Sequence, residues 1–154
     1  MESQNEIWKE VKNYEGIYEV SNLGNVKSLS RAVLRKGKYP FLSKEKILSK
    51  GISTSRYYNV VLSKNSIKET KAVHQLVAES FLNHIRNGKN LVVNHINFIR
   101  IDNRVENLEI VSMRENSNRK HIKSSSKYVG VSFYKTTNKW KSAISIKGKI
   151  KHLG

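Results

Sequence analysis

Apolar residues in this chain never run for more than a few positions at a stretch. A membrane-crossing helix needs about 20 consecutive apolar residues, so none can form from such runs. What remains is a core built from short elements joined by tight turns. Ile17–Val20 and Val26–Leu29 are separated by Ser-Asn-Leu-Gly-Asn, whose Asn and Gly suit a turn between strands. Tyr57–Leu62 is rich in aromatic and β-branched residues and pairs with Ile67–Ala72 across Lys-Asn-Ser. At Val73 the period changes. Val73, Leu76, Val77 and Phe81 fall on one face of a helix, with Thr70 as its candidate cap. Leu91–Val93 and Leu108–Val111 read as a strand and its returning partner. Ser112 and Glu115 then have capping-box spacing, which predicts a helix carrying Asn116. Between Ser30 and Lys46 basic residues interrupt any periodicity. The polar run from Asn116 to Lys127 reads as a helix end and linker, followed by three strands, YVGVSFY, KWKSAISI and KIKHL.

With 154 residues and 38% hydrophobic content, the expected class is a small modular α+β protein with a modest core. The absence of cysteine excludes disulfide scaffolds, Cys-based zinc fingers and thiol catalysis. The N-terminus lacks a basic-then-apolar signal pattern, so a cytoplasmic protein of a bacterial or phage-infected cell is expected. A formal net charge of +17 calls for a polyanionic partner, and nucleic acid is the leading one. No segment pairs a basic face with a long apolar helical face, which argues against a membrane surface. No protein partner is implied, and a monomer is expected. The charge is concentrated: eleven of the 29 Lys and Arg residues, but one of the 12 acids, lie from Met113 to Gly154.

The most informative segment runs from Asn94 to Asn116. It reads as a strand, a polar loop, a second strand and a helix, with His95 at the end of the first strand and Asn107 where the loop re-enters the second. A hairpin packed on the helix would gather Asn94, His95 and Asn116. One imidazole and two amide oxygens suit a hard Mg²⁺-like cation and not closed tetrahedral zinc. A lone histidine at a strand end also reads as an ordinary surface or core residue, and spacing leaves both open. Arg100, Arg104 and Arg119 flank the proposed metal site and would clamp phosphates. His74, beside the apolar helix face, reads as a packing residue, and Trp8, Tyr14 and Tyr18 as core. In the last strands Trp140, Ile144 and Ile146 alternate with Lys139, Lys141 and Lys147. Those lysines, with Lys135, either follow a DNA backbone or form a solvated face.

The motifs VNHI, DNRVENLE, IVS and REN resemble the HNH endonucleases, in particular the phage-type homing enzymes. VHQLVAESFL resembles the helix that precedes the motif in that family. WKEVKNYEGIYEVSNLGNVKSL is similar to its N-terminal nuclease-associated module, and KYVGVSFYKTTNKWKSAISIKGKIKHLG to the sheet of the APETALA-type DNA-binding domain. The resemblance implies a central ββα-metal core over residues 51–120 and a β-rich DNA-contacting module over 1–50. A linker would cover 121–127, and a truncated DNA-binding sheet 128–154. It implies a DNA phosphodiester hydrolase acting on double-stranded DNA with one Mg²⁺ or Mn²⁺. His95 would be the general base, Asn94 and Asn116 the metal ligands, and Asn107 a residue that pins the loop. The chain departs from the family where Asn97-Phe98-Ile99 replaces Asp-Gly-Asn, losing the glycine that adopts positive φ at low cost. Ile110 also replaces the usual Trp. The competing classes are a catalytically decayed DNA-binding protein and an RNA-binding accessory protein.

Overall fold

A computed structural model describes residues 5–33, 39–85, 88, 90–119, 126, 128, 130–146 and 149–153. The chain divides into two compact units, Met1–Ser112 and Met113–Gly154.

In the first unit, β1 (Trp8–Glu10), β2 (Tyr18–Ser21), β3 (Val26–Ser28) and β6 (Lys46–Ile47) form one four-stranded sheet. The stretch with no readable period contains a small hairpin, β4 (Arg31–Val33) against β5 (Phe41–Ser43). Next come β7 (Gly51–Ile52), β8 (Tyr58–Lys64) and β9 (Ile67–Ala72) in a three-stranded sheet. The two residues between β8 and β9, Asn65 and Ser66, have φ of 52° and 65°. Positive φ at both central positions is the hairpin turn whose twist matches its strands. Helix α1 (Val73–Phe81) follows with no intervening loop. Its N-cap is Ala72, without a side-chain cap, and not Thr70. The reason is local: pairing of β9 with β8 continues through Ala72 opposite Asn59, which leaves Thr70 mid-strand opposite Val61. The unit ends with β10 (Leu91–His95) antiparallel to β11 (Leu108–Ser112), with a 3₁₀ turn at Val105–Asn107.

One core serves this whole unit. Val11 and Tyr14 from the β1–β2 connection, with Tyr18, Val20 and Val26 from β2 and β3, meet Val60 and Leu62 from β8, Val73, Leu76 and Val77 from α1, and Leu108 from β11. Each such side chain, fully buried, contributes about 1.5–3 kcal/mol. The N-terminal hairpin and the β10–β11 hairpin are therefore tied through shared apolar contacts, and this fixes their relative placement. Trp8 is half-buried, with Lys27 Nζ 4.5 Å from its ring centre.

The second unit holds α2 (Met113–Asn118) and a three-stranded antiparallel sheet of β12 (Val131–Tyr134), β13 (Lys139–Ile146) and β14 (Lys149–His152). Phe133 and Trp140 are register partners, with rings edge to face at 5.1 Å. Of the expected linker 121–127, Ser126 alone falls among the described residues. Among those residues no helix is long and apolar enough to cross a membrane.

Candidate active site

The loop from β10 to β11 is built from asparagines. Asn107 is buried, and its side chain works in both directions: Oδ1 accepts from the Asn97 amide at 3.0 Å, while Nδ2 donates to Asn97 Oδ1 at 3.0 Å and to the Asp102 carbonyl at 2.8 Å. Asn97 Oδ1 also accepts from the Ile99 amide, and Asn97 Nδ2 donates to Asp102. A carboxamide can donate and accept at once, which is why Asn suits such a loop better than Asp.

Within this mesh Phe98 adopts φ = 61° at the position where glycine is usual in the family it resembles. A left-handed backbone costs a side chain with a Cβ roughly 1–2 kcal/mol. Phe98→Gly should therefore be more stable than Phe98→Ala by about 1 kcal/mol, the reverse of the usual order. Chemical denaturation of the two variants measures this, and an Ala variant equal to or above the Gly variant would refute strain at Phe98.

His95 closes β10 and is 4% exposed. Its Nε2–H donates to Asn103 Oδ1 at 3.1 Å, so Nδ1 is the nitrogen left to accept a proton. Burial lowers its pKa from the ordinary histidine value, opposed by the Asn103 hydrogen bond and the charge of Asp102. The ring lies 5.3 Å from that of His74 and 5.8 Å from that of Tyr57, with Arg100 5.4 Å from the Tyr57 ring. His74 is thus part of the packing around His95. Asn94 donates from Nδ2 to Glu109 Oε1 at 2.8 Å across the strand pair. That bond leaves Oδ1 as the atom available to a cation.

The arginines divide. Arg100 donates to the Ser55 carbonyl at 3.0 Å and is exposed. Arg104, read from the sequence as a phosphate clamp, grips Asp102 with Nε and Nη2, both at 2.9 Å, and Glu106 with Nη1 at 2.8 Å. The Arg104 guanidinium holds the Asp102 carboxyl down at about 2. A carboxylate depressed in the folded state stabilises above its unfolded pKa and loses that contribution only as pH falls through its folded value. The brace therefore persists until pH approaches about 2. Both groups are partly solvated, so it contributes modestly.

Asn116 lies on α2 and Arg119 just beyond it, both in the second unit, where the Arg119 amide donates to the carbonyls of Glu115 and Asn116. Lys135 opens a turn closed by Asn138, and Lys139 and Lys141 are exposed on β13, with Lys141 Nζ 3.7 Å from the Tyr134 ring centre. Lys147 falls outside the described residues.

Sequence reading had no means of singling out Asn103. It is one of several asparagines in the segment, and its partner is eight positions away on another element.

A buried histidine at a strand end, an Asn before it and an Asn-pinned loop leading to a returning strand and a helix match one known family. Its HNH endonuclease model covers residues 71–118, preceded by a NUMOD4 motif over residues 6–63. The chain therefore carries an HNH endonuclease domain behind a NUMOD4 motif. It is 33% identical to the DNA endonuclease I-HmuI of Bacillus phage SP01, over 71% of this chain and 54% of that one. It is 38% identical to the uncharacterized HNH endonuclease L247 of Acanthamoeba polyphaga mimivirus, over 75% of this chain and 26% of that one. The solved structure of I-HmuI, described as an HNH homing endonuclease binding and cleaving DNA, superposes with a TM-score of 0.58 and covers 72% of this chain and 55% of the other. This chain thus spans between about a quarter and about half of these relatives' lengths.

Proposed function

We propose that this chain is a metal-dependent DNA endonuclease of the homing type, with His95 as general base and a single Mg²⁺ or Mn²⁺ as cofactor. The observation that carries it is the commitment of Nε2 in a buried His95, which leaves Nδ1 to take the proton of an attacking water. A new O–P bond forms at the scissile phosphorus as the P–O3′ bond breaks, the water's proton passes to Nδ1, and the departing O3′ takes a proton from solvent. Histidine is the side chain whose ordinary pKa suits that transfer near neutrality.

The donor set fits a hard cation. Asn94 presents Oδ1 because Glu109 holds its nitrogen, and Asn116 is proposed as the second ligand on the strength of the family resemblance. Carboxamide oxygens are hard ligands of the kind Mg²⁺ and Mn²⁺ accept. When bound, such a cation would neutralise charge developing on the leaving oxygen. Glu109 would orient Asn94 from behind. Arg100 is a candidate phosphate contact, whereas Arg104 braces the loop. Arg119, Lys135, Lys139, Lys141 and Lys147 are proposed to follow the DNA backbone from the second unit. The matches to family models end at residue 118, so an APETALA-type reading of the last three strands rests on sequence resemblance and basic charge.

The division proposed is a DNA-contacting N-terminal module over residues 1–50, a nuclease core over 51–120, and a basic sheet over 128–154. The test is conversion of supercoiled plasmid to nicked or linear product in Mg²⁺ or Mn²⁺, abolished by chelation. Plasmid left intact in both metals, with binding to duplex DNA retained, would overturn this reading in favour of a non-enzymatic DNA-binding protein. Tighter binding to structured RNA than to duplex DNA at matched salt would point to an RNA partner instead.

A further inference from the structure

The turn between β2 and β3 reaches the β10–β11 loop. Gly24, in that turn, has φ = +76°, and a Cβ built on it would stand 2.8 Å from Asn103 Cβ and 3.0 Å from the Asn103 carbonyl oxygen. Two positions away on each segment, the Val105 amide donates to the Asn22 carbonyl at 2.8 Å. The turn is closed on itself: the Gly24 amide donates to the Ser21 carbonyl at 3.0 Å, and Ser21 Oγ accepts from the Asn25 amide at 3.0 Å. A rigid turn thus presses directly on the backbone of Asn103.

Asn103 is 3% exposed and its Oδ1 holds His95 Nε2, yet its own Nδ2 has no hydrogen-bond partner among the described residues. A buried amide nitrogen left unpaired costs stability. Asn103 is therefore a poor choice for packing, and its presence is accounted for by what Oδ1 does. A carbonyl oxygen accepts only, so it selects the histidine form with the proton on Nε2.

We propose that Gly24 and Asn103 form a positioning device for His95: the turn of the NUMOD4 motif seats Asn103, which orients the imidazole and reserves Nδ1 for the substrate water. The N-terminal motif then serves the nuclease domain as a strut, beyond any contact of its own with DNA. The role of Nδ1 rests on the proposed nuclease reading, whereas the hydrogen bond and the strut do not.

The test uses the whole ¹⁵N-labelled chain. Wild type is expected to show a slowly exchanging imidazole N–H proton, assigned to Nε2 of His95 by its ring couplings. Asn103→Leu and Gly24→Ala should lose that protection and cleave about 10²-fold more slowly in single turnover, with duplex affinity unchanged. Asn103→Asp keeps an acceptor in place and should restore the resonance. Gly16→Ala is the control: its φ is +69°, but an added Cβ meets nothing within 4 Å. It carries the same backbone strain without the collision and should leave resonance and rate as in wild type. The proposal is overturned if folded Gly24→Ala or Asn103→Leu keeps both, or if the wild-type proton resides on Nδ1. Should Gly24→Ala fail to fold, the Asn103→Leu and Asn103→Asp pair decides. If wild type cleaves nothing, the nuclease reading fails while the resonances still decide the strut.

Discussion

His95→Ala is expected to cut plasmid about 10²–10⁴-fold more slowly than wild type, the range that a positioned general base supplies, while duplex DNA affinity stays the same. The separation follows from where the side chain sits. His95 is 4% exposed and engaged with Asn103, so its ring offers little surface to a duplex, and binding is expected to depend on the exposed cations instead. Single-turnover cleavage with enzyme in excess reads the chemical step, and a filter or anisotropy titration reads affinity. Truncation also removes packing against His74 and Tyr57. A thermal melt run in parallel separates lost chemistry from lost fold. A variant that melts like wild type and cleaves at the wild-type rate would remove His95 from the reaction. One that loses affinity in proportion to rate would place His95 in binding.

Local rules carry much of this structure. Two residues of left-handed backbone at Asn65 and Ser66 join strands whose alternation is plain in the sequence, and the change of period at Val73 marks α1 to the residue. The strands of the second unit follow their β-branched and aromatic residues in the same way. Reading fails where pairing is decided at a distance. Arg31–Val33 and Phe41–Ser43 are too short and too basic to show a period, and they become strands by pairing with each other. Thr70 looks like a cap because propensity is local, but the ladder between β8 and β9 runs past it.

The same distinction applies in the site. The roles proposed for His95 and Asn94 come from residue type together with the family resemblance, since spacing alone leaves a strand-end histidine open to other readings. Their hydrogen-bond partners Asn103 and Glu109 are not legible in the sequence, because each is chosen by the register of a hairpin. Phe98 shows the converse. Its side chain is wrong for the backbone it adopts, and the surrounding asparagine mesh is what holds it at φ = 61°.

That mesh gives Asn107→Ala a large expected effect on stability. Three hydrogen bonds end on its carboxamide, from the Asn97 amide, to the Asn97 side chain and to the Asp102 carbonyl. At about 1 kcal/mol net for each, the loss is on the order of 3 kcal/mol. For a chain of this size each kcal/mol moves Tm by about 2–4 °C, so a drop of roughly 6–12 °C is expected. The remaining ties bound the answer from below. Asp102 stays gripped by Arg104, and Val105 stays bonded to Asn22, so the loop loses its centre and keeps its edges. Asn107→Asp retains the acceptor for the Asn97 amide but sets a buried carboxylate oxygen against Asn97 Oδ1 and the Asp102 carbonyl, and should cost at least as much as Ala. Cleavage should fall with stability in both variants, since Asn103 rides on the same loop as the Asp102 carbonyl. A wild-type melting temperature for Asn107→Ala would mean that the edges alone hold the loop, and the carboxamide would then need another purpose.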